Sequence, residues 1–283
     1  MRIFRSSGAR QARAALVFLL PSLVGVCALN LFPMADTVRR SFLSLTGAWR
    51  GLANYWALFQ NASFQMASLN TLRFLAASVP ALIVLSLGAA LLARRAPTFF
   101  KTSLLVPLSL PVASLALLWQ ALFNDHGVIN GVLIGLGRTP VAFMNSGAAF
   151  WVLVGSYLWK NIGYDMVLLL SGLMDIPETQ YEAARLDGAG RVRLFFAITL
   201  PGLWPTVFVT AVLSLINAFK VFREAYLVAG NYPNESMYLL QHLFNNWFLR
   251  LDIDKMCTAA TLVALVMLGM ILVIRRLWGE ARA

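Results

Sequence analysis

The sequence predicts an all-α polytopic membrane protein with six transmembrane helices, on three observations. Of its 283 residues 59% are hydrophobic and only 12% are charged, a balance unlike that of ordinary soluble domains. Apolar runs of about twenty residues, long enough to cross a hydrocarbon core of roughly 30 Å as a helix, recur along the chain. The basic residues are sorted between alternate loops rather than gathered on one face.

In order, the runs fall at 14–32, 74–93, 102–123, 147–174, 201–229 and 257–274, and no linker or internal repeat divides them, so positions 1–283 read as one membrane domain. The strict alternation of a membrane barrel is missing. The first run follows a basic stretch but is too long for a cleaved signal and lacks a small-x-small site, which makes it an uncleaved span. Ahead of the second, "GLANYWALFQNASF" suits a short helix at the interface, where Trp and Tyr are favoured. Arg73 is expected to snorkel at the outer end of the second span. Pro107 and Pro111 should kink the third and free carbonyls that neighbouring helices must satisfy, and a kinked helix can line a cavity.

Arg2, Arg5, Arg10 and Arg13, then Arg94, Arg95 and Lys101, then Arg185, Arg191 and Arg193, and finally Arg275, Arg276 and Arg282 occupy the termini and every second loop. The other loops hold Arg39, Arg40, Arg50, Arg138, Arg250 and Lys255. The positive-inside rule then places both termini in the cytoplasm. A charge of +11 spread in this way speaks for a lipid bilayer, not nucleic acid. His126 and His242 are isolated, and neither a Cys/His cluster nor a phosphate-binding Gly-Lys-Ser/Thr loop appears, so no metal, cofactor or catalytic set is expected. Cys27 and Cys257 read as small packing residues rather than a disulfide.

The cytoplasmic stretch 175–200 is charged where its surroundings are apolar. Asp175, Pro177 and Glu178 predict a helix start with a capping-box-like arrangement, and the helix should run to about Leu186. Gly188 and Gly190 permit a reversal, a second short helix fits 191–198, and Pro201 suits the first turn of the fifth span. Within it, Glu182-Ala183-Ala184, Asp187-Gly188-Ala189 and Ile198-Thr199-Leu200-Pro201 resemble the EAA loop of permease subunits in binding-protein-dependent ABC importers. "FLLPSLVGVCALNLFPM", "GLANYWALF", "NTLRF" and "LLVPLSLPVASLALLWQALFN" extend the resemblance and are most similar to the carbohydrate branch, the maltose-type and glycerol-phosphate-type permeases. Gly190 and Val192 depart from a frequent Ser and Trp, and "AGNYPNES" replaces the common Gly-Gly-Pro turn.

The resemblance implies a multi-pass protein of a prokaryotic inner membrane whose 175–200 loop docks as a coupling helix on a cytoplasmic ATPase. Glu182 would pair with a basic group there, Ala183, Ala184 and Asp187 would meet its surface, and Gly188 would allow the turn. It also implies a second, non-identical permease, two ATPase copies that hold ATP and Mg, and an extracytoplasmic sugar-binding protein.

Lys160 and Asp165 in the fourth span, and Lys220, Arg223 and Glu224 in the fifth, each cost about 2.5 to 3.5 kcal/mol at a helix centre on insertion scales, so they should face a protein-lined or aqueous interior. Asn161, Tyr164 and Asp165 share one face; Asn217, Lys220 and Glu224 share another. Beside Trp159, Phe219 and Tyr226 they would suit a sugar pathway, and the resemblance places Asn161, Tyr164, Asn217 and Lys220 at substrate-contacting positions of the maltose-type importer. An interhelical polar lock, or an intrahelical Lys220–Glu224 ion pair, explains the same charges. Two rival functions stay open: a secondary transporter using Asp165 and Lys220 as a relay, and a membrane enzyme using Asp125, His126, Asp252 and Asp254.

Overall fold

A computed structural model describes residues 17–280; Arg2, Arg5, Arg10, Arg13 and Arg282, with the first residues of the 14–32 run, lie outside the described residues. The chain is helical: α1 Val17–Arg40, α2 Ala53–Phe59, α3 Ala62–Ala93, α4 Thr98–Ser109, α5 Val112–Phe123, α6 Val128–Gly135, α7 Ala148–Met174, α8 Glu178–Leu186, α9 Arg191–Ala229, α10 Leu240–Leu249 and α11 Ile253–Glu280. Among the described residues α1, α3, α9 and α11 are long and apolar enough to cross a membrane, and the bent pair α4 with α5–α6 makes a fifth candidate. α7 has the length, 27 residues, but its polar centre keeps it below the apolarity of the others.

Several boundaries depart from expectation. α1 runs on to Arg40 because Asp36 accepts hydrogen bonds from Arg39 (2.8 Å) and Arg40 (2.6 Å) within the last turns. α3 starts at Ala62, well before 74, because its polar outer turns are satisfied from outside. Asn70 donates to the carbonyls of Glu235 (2.6 Å) and Tyr238 (3.2 Å), and Thr71 Oγ1 accepts from the backbone N–H of Leu240 (3.0 Å). The third run is broken, not merely kinked. At Leu110–Pro111 the backbone turns extended and the flanking helices lie 96° apart.

The described residues form two compact units, 17–61 with 247–266 and 62–246 with 267–280. In the first, buried Asn54 holds the chain after α1 by donating to the carbonyls of Ser41 (3.0 Å) and Leu43 (2.8 Å), and Phe42 stacks on Trp49 at 5.5 Å. In the second, α3 packs along α7. The buried positions of α3, among them Ala67, Thr71, Phe74, Ser78, Leu82, Ser86 and Ala90, recur every three or four residues and are mostly small, which lets helices approach where apolar burial alone gives no drive. One core gathers Phe74, Leu82, Leu153, Tyr157 and Leu215; another gathers Ala90, Met166, Leu169, Leu173, Tyr181 and Leu203.

The closest approach is at Gly163 of α7, where a Cβ would sit 1.9 Å from the carbonyl oxygen of Leu104 on α4. Gly163→Ala should therefore lower the thermal midpoint of the purified protein in detergent: the helix-propensity gain of about 1 kcal/mol is outweighed by overpacking of about 1–3 kcal/mol against a backbone that cannot rotate away. Gly155→Ala, on the same helix with open space around it, should leave the midpoint unchanged or raise it.

His242 on α10 is a packing residue, buried against Phe222 (ring centroids 4.9 Å) and Tyr238, with Nδ1 accepting from the Leu239 N–H at 3.1 Å. Burial lowers its pKa to about 4, below the ordinary value of 6.5. The unfolded chain thus takes up a proton that the fold refuses, so this contribution to stability is complete above pH 6.5 and is lost as pH falls toward 4. His242→Gln should flatten that part of the pH dependence of the thermal midpoint relative to the wild-type chain.

Candidate translocation cavity and coupling helix

The helix break and the polar centres of α7 and α9 meet at one place. A cavity of about 320 Å³ lies there, with Leu108 before the break and Leu115 and Trp119 after it on one side, and α7 and α9 on the others. Pro107 lies inside α4 and Pro111 stands at the opening: the Pro111 ring obstructs the preceding turn and biases Leu110 to extended backbone, where α4 ends.

Five of the six residues expected along a pathway line this cavity: Asn161 and Tyr164 from α7, and Asn217, Lys220 and Glu224 from α9. A 3₁₀ turn at Phe219–Val221 interrupts α9, and its tighter winding brings positions three apart into line, so Lys220 Nζ donates to Asn217 Oδ1 at 2.8 Å. Glu224 is ion-paired with Lys160 across the two helices, not with Lys220 on its own helix. Asn161 donates back to the Tyr157 carbonyl at 2.8 Å, and Tyr157 in turn donates to the Ser214 carbonyl of α9 at 2.7 Å.

Asp165 is the residue the structure keeps apart. It does not line the cavity; it is fully buried and accepts from Ser214 Oγ at 2.5 Å. Lys220 and Asp165 therefore make no joint relay. Of the expected aromatics Trp159 lines the cavity, whereas Phe219 and Tyr226 do not. Trp119 does, edge-on to Trp159 at 5.8 Å, and sequence reasoning passed over it although it sits two turns beyond Pro111. Lys160 was legible as a costly intramembrane charge, but its partner was not.

The charged stretch 175–200 folds as one helix and a turn, followed directly by α9. α8 is capped at Pro177 without any side-chain hydrogen bond, while Asp175 closes α7, so the expected capping box does not form. The short helix expected over 191–198 is continuous with the fifth run, and Pro201 lies inside α9, preceded by a π-helical stretch at Phe195–Thr199. Such a bulge absorbs the bond that Pro201 cannot donate. After α8 the chain reverses at Gly188, φ 77°, with the Ala189 N–H returning to the Ala184 carbonyl at 2.9 Å.

Three contacts fix α8. Arg94 donates to Glu178 at 3.0 Å, its guanidinium lies 5.3 Å over the Tyr181 ring, and buried Tyr181 shares a hydrogen bond with Thr199 Oγ1 at 3.0 Å. The opposite face is open: Glu182, Ala183, Leu186, Asp187 and Gly188 are exposed and Ala184 half-buried, with Leu186 89% exposed. Among the described residues no group of three or more His, Cys, Asp or Glu side chains could hold a metal.

In the Lys160–Glu224 pair the carboxylate is buried and Lys160 half-buried at the cavity wall, with Glu224 Oε2 otherwise unpartnered. Removing one member leaves a buried charge, so Lys160→Met should destabilise the bundle by about 3–5 kcal/mol, whereas Lys160→Met with Glu224→Leu should recover most of that loss. Chemical unfolding of the wild-type chain and the two variants in detergent gives the comparison, and near-equal effects of the single and double changes would mean that Glu224 carries no buried charge.

Residues 82–278 match the family model of the binding-protein-dependent transport system inner membrane component. The sulfoquinovosyl glycerol transport system permease protein SmoG of Agrobacterium fabrum is 33% identical over 233 residues, covering 78% of this chain and 76% of that one. The sn-glycerol-3-phosphate transport system permease protein UgpA of Yersinia enterocolitica is 29% identical, covering 90% of each. In fold, a chain of a bacterial ABC transporter involved in import of the acidic polysaccharide alginate superposes with a TM-score of 0.81 at 23% identity over 97% of this chain and 98% of that one. On these grounds, and as the resemblance to carbohydrate-type permeases implied, the chain belongs to the family of binding-protein-dependent transport system inner membrane components, the permease subunits of ABC importers.

Proposed function

We propose that this chain is one of two permease subunits of an ATP-driven importer that moves a sugar or a related polyol conjugate from an extracytoplasmic binding protein into the cytoplasm. The observation that carries the reading is the pairing of an aromatic and amide-lined cavity between α5, α7 and α9 with an exposed helix, α8, anchored on one face and open on the other. Relatives named for sulfoquinovosyl glycerol and glycerol-3-phosphate transport support the cargo class. In this reading α7 is a crossing despite its polar centre, because its polar residues face the cavity or other helices; that gives six crossings with both termini cytoplasmic.

The open face of α8 is the surface for the ATPase. Glu182 meets a basic group on that subunit, Ala183 and Ala184 let it approach, and Asp187 with Gly188 sets the reversal. Two ATPase copies bind ATP and Mg, and a second, non-identical permease completes the pathway. A secondary-transport relay through Asp165 and Lys220 has lost its geometric basis, since those residues have separate partners.

In proteoliposomes containing the whole complex, uptake of the cargo should need internal ATP and survive collapse of ion gradients. Glu182→Lys should lower cargo-stimulated ATP hydrolysis at least about tenfold, the loss expected when a charge-assisted contact becomes a like-charge clash, while the thermal midpoint of the membrane bundle is unchanged. Normal transport by that variant would remove Glu182 from the docking surface.

A further inference from the structure

We propose that the cavity selects an anionic saccharide, one carrying a sulfonate, phosphate or carboxylate, and that Lys220 receives its charge. The inference rests on the reading of this cavity as the sugar pathway. It starts from the charges that line it, two lysines and one carboxylate. Lys160 and Glu224 neutralise each other. What is left is the ammonium of Lys220, which among the described residues has the neutral Asn217 amide as its hydrogen-bond partner and no carboxylate within ion-pair distance. The other intramembrane acid, Asp165, is turned to Ser214 and lies outside the lining.

A neutral sugar can accept a hydrogen bond from a lysine, but it leaves the ammonium charge uncompensated. Hydroxyls are satisfied by amides and phenols, which Asn161, Asn217 and Tyr164 already supply, and the C–H face of a ring stacks on the Trp119–Trp159 pair. An ammonium with no carboxylate partner leaves this lining net positive, which favours anionic cargo over neutral cargo. Lysine also presents a compact point charge with three rotatable donors, unlike the planar arginine fork. It therefore accepts tetrahedral sulfonate or phosphate and planar carboxylate alike, which is why the class is set by charge rather than by one head group. Lys220 is exposed, and two of its three N–H donors are free for a ligand once Asn217 is served.

The test is equilibrium binding to the complete importer in nanodiscs, without binding protein, using labelled methyl glucuronide, glucose 6-phosphate and a 6-sulfonated glucose against neutral methyl glucoside. At least one anion should bind about tenfold or more tightly than the neutral glycoside, the step expected of one charge-assisted contact, and the preference should shrink with added salt. Lys220→Gln should abolish it and Lys220→Arg should retain it; the three anions report which head group is preferred. Equal binding of the neutral glycoside, no binding of any anion, or an anion preference that survives Lys220→Gln would overturn the proposal. So would dissociation of the importer on gel filtration by Lys220→Gln, which would assign Lys220 to an acid of the second permease. ATP-dependent uptake of a neutral sugar at undiminished rate by Lys220→Gln in proteoliposomes would sink the anion inference alone, whereas absence of ATP-dependent uptake of any sugar would sink the import reading itself.

Discussion

A polar atom carried into the hydrocarbon core finds no water there and must be satisfied inside the protein. Most of the polar side chains in α3, α7 and α9 meet that constraint in ways that also fix the packing. Ser78 returns its hydroxyl to its own helix at the Phe74 carbonyl, which needs no neighbour. Ser86 reaches the Ile162 carbonyl, Tyr157 the Ser214 carbonyl, and Ser214 the Asp165 carboxylate, and each of these joins two helices. The Lys160–Glu224 pair does the same for a full charge. Locks between α7 and α9 thus border the polar centre of the bundle, and the cavity there is lined by Asn161, Tyr164, Asn217 and Lys220, which retain hydrogen-bonding capacity for something else.

The cavity exists because a third helix stops beside those two. The backbone is extended at Leu110–Pro111, and the 96° break places Leu108 and Trp119 on the same wall and leaves space rather than a continuous helix face. Close packing on the other side of the break compensates. Gly163 lets α4 lie against α7 at backbone distance, and Gly172 brings α7 against Thr206 of α9, where a Cβ would fall 2.3 Å from the hydroxyl. Small residues thus let the helices pack closely beside the opening, while Trp119 and Trp159 line it.

Much of this was legible in the residues because hydropathy and charge act locally. The apolar runs each gave helix, and Asn217, Lys220 and Glu224 share the cavity lining because helical spacing puts them near one face and the 3₁₀ turn keeps them there. What was not legible depended on partners distant in sequence. Glu224 is 64 residues from Lys160, and nothing near either distinguishes that pairing from the intrahelical one with Lys220. Asp165 shares a face with Asn161 and Tyr164 by spacing, but Ser214 draws it out of the lining. The two prolines announced a disturbance in the third run, while whether the helix bends or stops is decided by what packs beside it. The start of α9 at Arg191 was hidden for a similar reason: Pro201 normally marks a first turn, and the π-helical stretch that tolerates it inside a longer helix has no sequence signature of its own.

Under the proposed function, these contacts also say where motion can be absorbed. α8 is joined to α9 through Tyr181 and Thr199 and to the end of α3 through Arg94 and Glu178. From Leu200 to Ala218, α9 is α-helical over roughly 30 Å, and α7 runs from Tyr164 to Met174, about 15 Å, before α8 begins. Gly172 and Thr206 are packed too closely for α7 and α9 to slide past one another, so a push on α8 moves both together. The yielding element is the one without a continuous hydrogen-bond ladder, the Leu110–Pro111 break, whose extended backbone can change dihedral angles without breaking helical bonds. Displacement of the α7–α9 pair against α5 would then widen or close the cavity at Trp119 and Trp159, which couples the state of the cargo site to the position of α8 through the packed α7–α9 pair.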